Sequence, residues 1–111
     1  MTGVQTCALP IYYIRAHCAE HLSLADVAAH VYVSQWHLSK LINKHCNQNF
    51  FDILGRMRVE RAKTLLADSS LRVHAIAEQV GYSDVAHFSK SFKRFEGMTP
   101  GEYREKLGNR N

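Results

Sequence analysis

The chain has 111 residues, enough for one small domain or two very small ones sharing a core, and too few for a deep enzymatic cleft. Fourteen Lys and Arg against ten Asp and Glu give a net charge of +4 and a pI near 9.1, which suits a polyanionic partner and equally a merely soluble basic protein. The three cysteines lack paired spacing, so they imply no disulfide framework and point to a reducing compartment, and no apolar run approaches the roughly 18 residues that a membrane span needs.

Residues 1–11 (MTGVQTCALPI) stand apart from the rest. They carry no charge, Gly3 and Pro10 disfavour a helix, and without a basic start they make a poor signal peptide. They resemble the translation of a sequencing-library adapter and are read as a non-native segment, with a natural disordered tail as the alternative. On that reading a native N-terminal portion is expected to precede the domain, which is taken as residues 12–106 with a C-terminal tail at 107–111.

Residues 12–21 suit one short amphipathic helix through Tyr13, Ile14 and Ala16 to Cys18. Ser23 followed by Asp26 is a capping-box pattern, opening a helix with Leu24, Val27, Ala28 and Val31 on one face. Small Ala28 permits a close helix crossing. A turn at Tyr32 and Val33 leads to Ser34, which caps a second helix running to about Cys46 with Leu38, Leu41 and Ile42 inward. Asn49 and Asp52 open the longest helical stretch, expected to end near Asp68, with Phe51, Leu54, Arg58, Ala62 and Leu65 as its stripe. Gly55 inside it costs up to about 1 kcal/mol relative to Ala. At about 1.5 Å per residue, some twenty residues make a rod of roughly 30 Å. Such a rod is near one turn of B-DNA, about 34 Å, and is expected to let two reading heads meet successive major grooves.

The next helix carries Ile76, Ala77 and Val80, with Gly81 at a turn that needs positive φ; Tyr32 at the matching place implies a different or strained turn. A longer helix holds Phe88, Phe92 and Phe95 inward. Thr99, Pro100 and Glu102 then read as N-cap, first helical residue and capping acid, starting a short last helix with Tyr103 inward. The fold class is therefore all-α, about seven helices, with two helix-turn-helix units joined by a long connecting helix. The two units repeat one another: residues 24–40 (LADVAAHVYVSQWHLSK) return as residues 73–90 (VHAIAEQVGYSDVAHFSK), at an offset of 49 up to the serine and 50 after it. Two helix-turn-helix copies in one basic chain point to DNA.

Four blocks carry a family resemblance: residues 58–66 (RVERAKTLL), 76–83 (IAEQVGYS), 88–94 (FSKSFKR) and 97–104 (GMTPGEYR). In this order and spacing the chain resembles the C-terminal DNA-binding domain of AraC/XylS-type transcription regulators. Departures are Tyr32, Gly55, and Asn47 where a glycine is usual. The resemblance implies two units bound to adjacent major grooves of double-stranded promoter DNA, an activator's contact with RNA polymerase, and a bacterial cytoplasmic protein associated with the nucleoid. It implies no enzyme activity, no cofactor and no membrane, and leaves any effector ligand or receiver domain to a missing N-terminal portion.

Carried onto this sequence, the outer faces of the two recognition helices supply the base contacts: Gln35, Trp36, Ser39 and Lys40 in the first unit, Asp84, Ala86, His87 and Lys90 in the second. Lysine can donate to guanine, glutamine can pair with adenine, and an indole can meet thymine methyls. A core position for Trp36 is the competing reading. Lys44, Lys93 and Arg94 lie further along as phosphate contacts, with Ser34, Asn49, Ser83 and Thr99 at capped helix starts whose amides also face anions. Solvated helix faces are the alternative for each cation. Arg58 and Arg61 read as structural, with Glu60 and Asp68 as partners. His17, Cys18 and His21, with His45 and Cys46, match no closed zinc pattern, and nothing in sequence organises a Cys-His catalytic pair. A helical module binding protein or RNA remains the alternative function.

Overall fold

In a computed structural model the described residues are 2–108 for the backbone and 10–108 for side chains. Among them are seven α-helices and no strand: α1 (Thr2–His17), α2 (Leu24–His30), α3 (Gln35–Cys46), α4 (Phe50–Leu66), α5 (Val73–Gln79), α6 (Val85–Glu96) and α7 (Pro100–Gly108). The all-α expectation holds. The chain divides into two compact units, Met1–Gly55 and Arg56–Asn111, with the division inside α4.

In the first unit α1, α2 and α3 pack on one another. Ile14, Cys18, Leu22, Val27, Ala28, Leu38 and Ile42 are buried, as are Phe50, Ile53 and Leu54 from the start of α4. In the second unit Val59, Ala62 and Leu66 of α4 join Ile76, Ala77, Val80, Tyr82, Phe88 and Phe92 in one apolar cluster, with Phe95 and Tyr103 packed at its edge. Phe88, Phe92 and Tyr103 continue as a chain of edge-on ring contacts at 5.8 and 5.6 Å, the geometry that aromatic quadrupoles favour.

The turn joining each helix pair is built identically. The Tyr32 amide donates to the Ala29 carbonyl and the Val33 amide to the Ala28 carbonyl; at an offset of 49 the Gly81 amide donates to Glu78 and the Tyr82 amide to Ala77. This is the Schellman arrangement, which uses up carbonyls at the end of the first helix and requires a left-handed residue at its centre. Gly81 takes φ 104 there and Tyr32 takes φ 60. Of the two possibilities open for Tyr32, the strained turn is the one adopted. Asn47 likewise keeps the left-handed stop of α3 (φ 56) that Gly97 gives α6 (φ 83), since asparagine tolerates that region better than most residues.

Four expectations are corrected. First, α1 begins at Thr2 and contains Pro10, although Gly3 and Pro10 argued against a helix. Proline forfeits one backbone hydrogen bond there, and its ring is buried in compensation. Second, α1 stops at His17 instead of reaching residue 21, because the Glu20 amide turns back to the His17 carbonyl (3.0 Å). Third, α4 has 17 residues, about 25 Å, and ends at Leu66. Arg104 from α7 takes over beyond that point, donating to the carbonyls of Leu66 (3.1 Å) and Asp68 (3.0 Å). Fourth, Leu54 and Ala62 of the expected α4 stripe are buried, but Phe51 is 73% exposed, and Phe50, Ile53, Val59 and Leu66 are buried where Phe51, Arg58 and Leu65 were expected.

Charged residues of α4 are held by ion pairs and a ring contact. Glu60 pairs with Lys63 (3.5 Å), whose ammonium also meets Glu96 of α6 (3.1 Å). The Glu96 hydrogen bond holds Lys63 above the ordinary lysine range despite some desolvation. Asp68 accepts from the Ser70 hydroxyl (2.6 Å), and Arg58 lies over the Tyr82 ring at 5.1 Å.

Because Tyr32 is 93% exposed, replacing it loses almost no packing and removes a strained backbone. A side chain in the left-handed region costs about 1–2 kcal/mol, and the greater unfolded-state freedom of glycine returns about 0.5–1 of that. Tyr32→Gly is therefore expected to hold or raise the melting temperature, while Gly81→Ala lowers it. Equal loss of thermal stability in the two variants contradicts a shared turn geometry.

Candidate nucleic-acid interface

The outer face of α3 is prepared by its cap. Ser34 Oγ accepts from the His37 amide at 3.1 Å, fixing where the helix starts, and buried Leu38 and Ile42 fix its rotation. Gln35, Trp36 and Lys40 are exposed and Ser39 is half-buried beside them. Trp36 is 69% exposed, which removes the core reading of the indole. Its ring centroid lies 4.6 Å from Lys40 Nζ. One turn further, Asn43 continues the same face, its amide nitrogen donating to the Ser39 carbonyl at 3.0 Å, with exposed Lys44 beside it.

On α6 the cap is Asp84, not Ser83: Asp84 Oδ1 accepts from the His87 amide at 2.7 Å. Ser34 and Asp84 are therefore equivalent, Ser83 is the extra residue of the second turn, and an offset of 50 holds throughout the recognition helix. Val85 then matches Gln35, Ala86 matches Trp36, His87 matches His37, and Lys90 matches Lys40. Val85 (38% exposed), Ala86, His87 and Lys90 line the outer face, with Lys93 and Arg94 beyond. His87 meets the Tyr82 ring edge-on at 5.0 Å, and the Arg94 guanidinium lies over Phe95 at 5.0 Å.

The remaining capped starts divide in the same way. Asn49 Oδ1 accepts from the Asp52 amide (2.8 Å). Thr99 forms a full capping box: its Oγ1 accepts from the Glu102 amide (3.2 Å) and its amide donates to Glu102 Oε1 (2.9 Å). Each unit thus gathers most of its predicted residues along one helix, Ser34 through Lys44 on α3 and Asp84 through Arg94 on α6, while Asn49 and Thr99 lie at the starts of α4 and α7 and Ser83 in the turn before α6. Asn43, His37 and Val85 are exposed on the same helices and were not among the residues expected from sequence. Applying the offset of 50 from the cap onward finds Val85 and His37, and helical spacing from Trp36 and Ser39 finds Asn43.

Charge is unevenly divided. Met1–Gly55 holds three Lys and Arg against three Asp and Glu, whereas Arg56–Asn111 holds eleven against seven. The whole net charge of +4 therefore belongs to the second unit.

Comparison with known proteins matches this geometry. Residues 27–106 fit a family model described as a helix-turn-helix domain. The regulatory protein PocR of Salmonella typhimurium is 37% identical over 95 residues, which is 86% of this chain and 31% of that protein. An AraC-type DNA-binding domain-containing regulator from Chromobacterium violaceum superposes with a TM-score of 0.87 at 27% identity, covering 96% of each chain. The chain belongs to the AraC-type helix-turn-helix family. The DNA-binding domain of AdpA, solved in complex with a target DNA, has the same fold at 23% identity, with a TM-score of 0.87 over 95% of each chain. This AraC-type domain spans about a third or less of the length of the curated relatives it matches.

The Thr99 amide, and then its hydroxyl, hold the Glu102 carboxyl below its ordinary value of 4.5. A depressed carboxylate adds stability above its unfolded pKa and loses it as pH falls through the folded one. The stability gap between the natural chain and Glu102→Gln is therefore expected to be constant at neutral pH and to close below about pH 4.5. A gap that persists unchanged at pH 3 in denaturant melts contradicts the capping role.

Proposed function

We infer that this domain binds double-stranded promoter DNA sequence-specifically, with α3 and α6 each in a major groove and the two grooves adjacent on one duplex. The observation that carries this is the outer face of α3: a solvent-exposed indole, a lysine and polar side chains project from a helix whose other face buries Leu38 and Ile42. With Trp36 69% exposed, that face offers an apolar ring beside polar donors, the mixture that suits a partner surface. The solved complex of AdpA with its target DNA supports the same use of this fold.

The two units divide the work. Gln35, Trp36, Ser39 and Lys40 offer donors and an apolar face to base edges. Asp84, Ala86, His87 and Lys90 offer fewer donors, and Asp84 spends an oxygen on its cap. The second unit instead holds the excess positive charge and contributes phosphate attraction through Lys93 and Arg94. Ser34, Lys44, Asn49, Ser83 and Thr99 are the further backbone contacts, Ser83 now as an exposed turn residue.

The whole protein is a bacterial cytoplasmic transcription regulator acting on the nucleoid, an activator that contacts RNA polymerase. Its effector-sensing or receiver function resides outside this sequence, a reading supported by relatives roughly three times as long. No catalytic role, cofactor or membrane is assigned; among the described residues no helix is long and apolar enough to cross a bilayer.

Lys40→Ala is expected to cost about 1–3 kcal/mol on the preferred site and to relax preference at one base pair. Lys93→Ala is expected to weaken all sequences alike and to reduce the salt slope by about 0.9. Gel-shift titrations on selected and scrambled duplexes across salt concentrations separate the two. The reverse assignment of effects contradicts the division of roles, and no binding by the natural chain to any selected duplex contradicts the function.

A further inference from the structure

We propose that Trp36 is a positioning residue for Lys40, and that its absence from the second unit is what makes α6 the less discriminating reader. The proposal rests on the DNA-binding reading above. Trp36 and Lys40 are four residues apart on α3, so their side chains share a face. Helical side chains lean toward the N-terminus, which carries the lysine stem back over the indole. The structure shows the result: Nζ lies 4.6 Å from the ring centroid. Both groups are exposed, so no core packing imposes the contact; the attraction of an ammonium for the indole face does.

The consequence follows from lysine's freedom. A lysine carries four rotatable bonds, and ordering them on a base edge subtracts from the affinity the contact yields. An ammonium already confined beside the ring at the helix's groove-entering end loses less on binding. It is also confined to fewer base positions, so one base pair is read instead of several. The second unit provides a natural comparison. At the offset of 50 Lys90 matches Lys40, while Ala86 stands where Trp36 does, leaving Lys90 no ring at that position. The same ammonium chemistry thus occurs ordered on α3 and without that constraint on α6.

A double-mutant cycle on the full chain tests this, using fluorescence-anisotropy titration against the duplex selected by the natural protein and its single-base variants. Trp36→Leu is expected to reduce discrimination at the base pair read by Lys40 by about two- to five-fold. Trp36→Phe, which keeps a ring, loses less. In a Lys40→Ala background, Trp36→Leu no longer changes discrimination at that base pair, although any direct contact of the indole elsewhere is still lost. Ala86→Trp is expected to sharpen the preference of the second unit by a similar factor. In the free protein, the Lys40 side-chain methylene protons show an upfield ring-current shift that Trp36→Leu abolishes. Additive effects in the cycle, tighter binding at the Lys40 base pair after Trp36→Leu, or unshifted Lys40 methylenes overturn the proposal while leaving the DNA-binding reading intact. Failure of the natural chain to select any duplex overturns both.

Discussion

Each helix pair of this domain depends on how the backbone leaves its first helix. An amide three residues past the last helical residue, Val33 in one unit and Tyr82 in the other, returns to the carbonyl of a buried alanine, Ala28 or Ala77. The residue between them sits in the left-handed region, and the next cap sets the start of the recognition helix within one residue. The device fixes direction: it turns the chain sharply while satisfying carbonyls that would otherwise be left without partners beside an apolar core. Everything on the outer faces of α3 and α6 inherits its orientation from that turn. It is retained in the first unit even with a tyrosine at the left-handed position, so the geometry outweighs a local cost of about 1–2 kcal/mol.

From the turn onward the two units diverge in chemistry while keeping the same geometry. The first is electrically balanced and exposes an ordered indole-lysine pair. The second carries the excess charge, an acidic cap, and an alanine in place of the indole. Charge neutralised against phosphates gives affinity that is indifferent to sequence, whereas bidentate or confined donors give discrimination. On the proposed reading, a duplicated scaffold separates two physical tasks that a single helix would have to combine. The second unit carries polar braces between segments distant in sequence, with Lys63 joined to Glu96 and Arg104 closing the end of α4.

What could be read from the sequence was local. Ser23, Ser34, Asn49 and Thr99 were legible as caps because the pattern lies within four residues, and Val27, Ile76, Phe88 and Phe92 as core because their spacing repeats. Ser83 and Asp84 are adjacent and both are good cap residues, so only the hydrogen bond to the His87 amide distinguishes them. Phe50 and Phe51 posed the same problem for α4: two identical side chains, of which packing buries one. Pro10 within α1 ran against propensity, and burial of its ring outweighed that preference. Arg104 was out of reach altogether, since it acts 36 and 38 residues away through backbone carbonyls that leave no mark in sequence. The Trp36 and Lys40 contact was present as an i, i+4 pair, but exposure of the indole had to be seen before the pair acquired a meaning.

Hydroxyl-radical footprinting of the natural chain on its selected duplex decides whether α3 and α6 act as a pair. Two helices that read neighbouring major grooves leave two protected patches, one helical turn apart on the same side of the DNA. A single patch, or uniform protection that follows charge and disappears with modest salt, would contradict the account of α3 and α6 as paired readers.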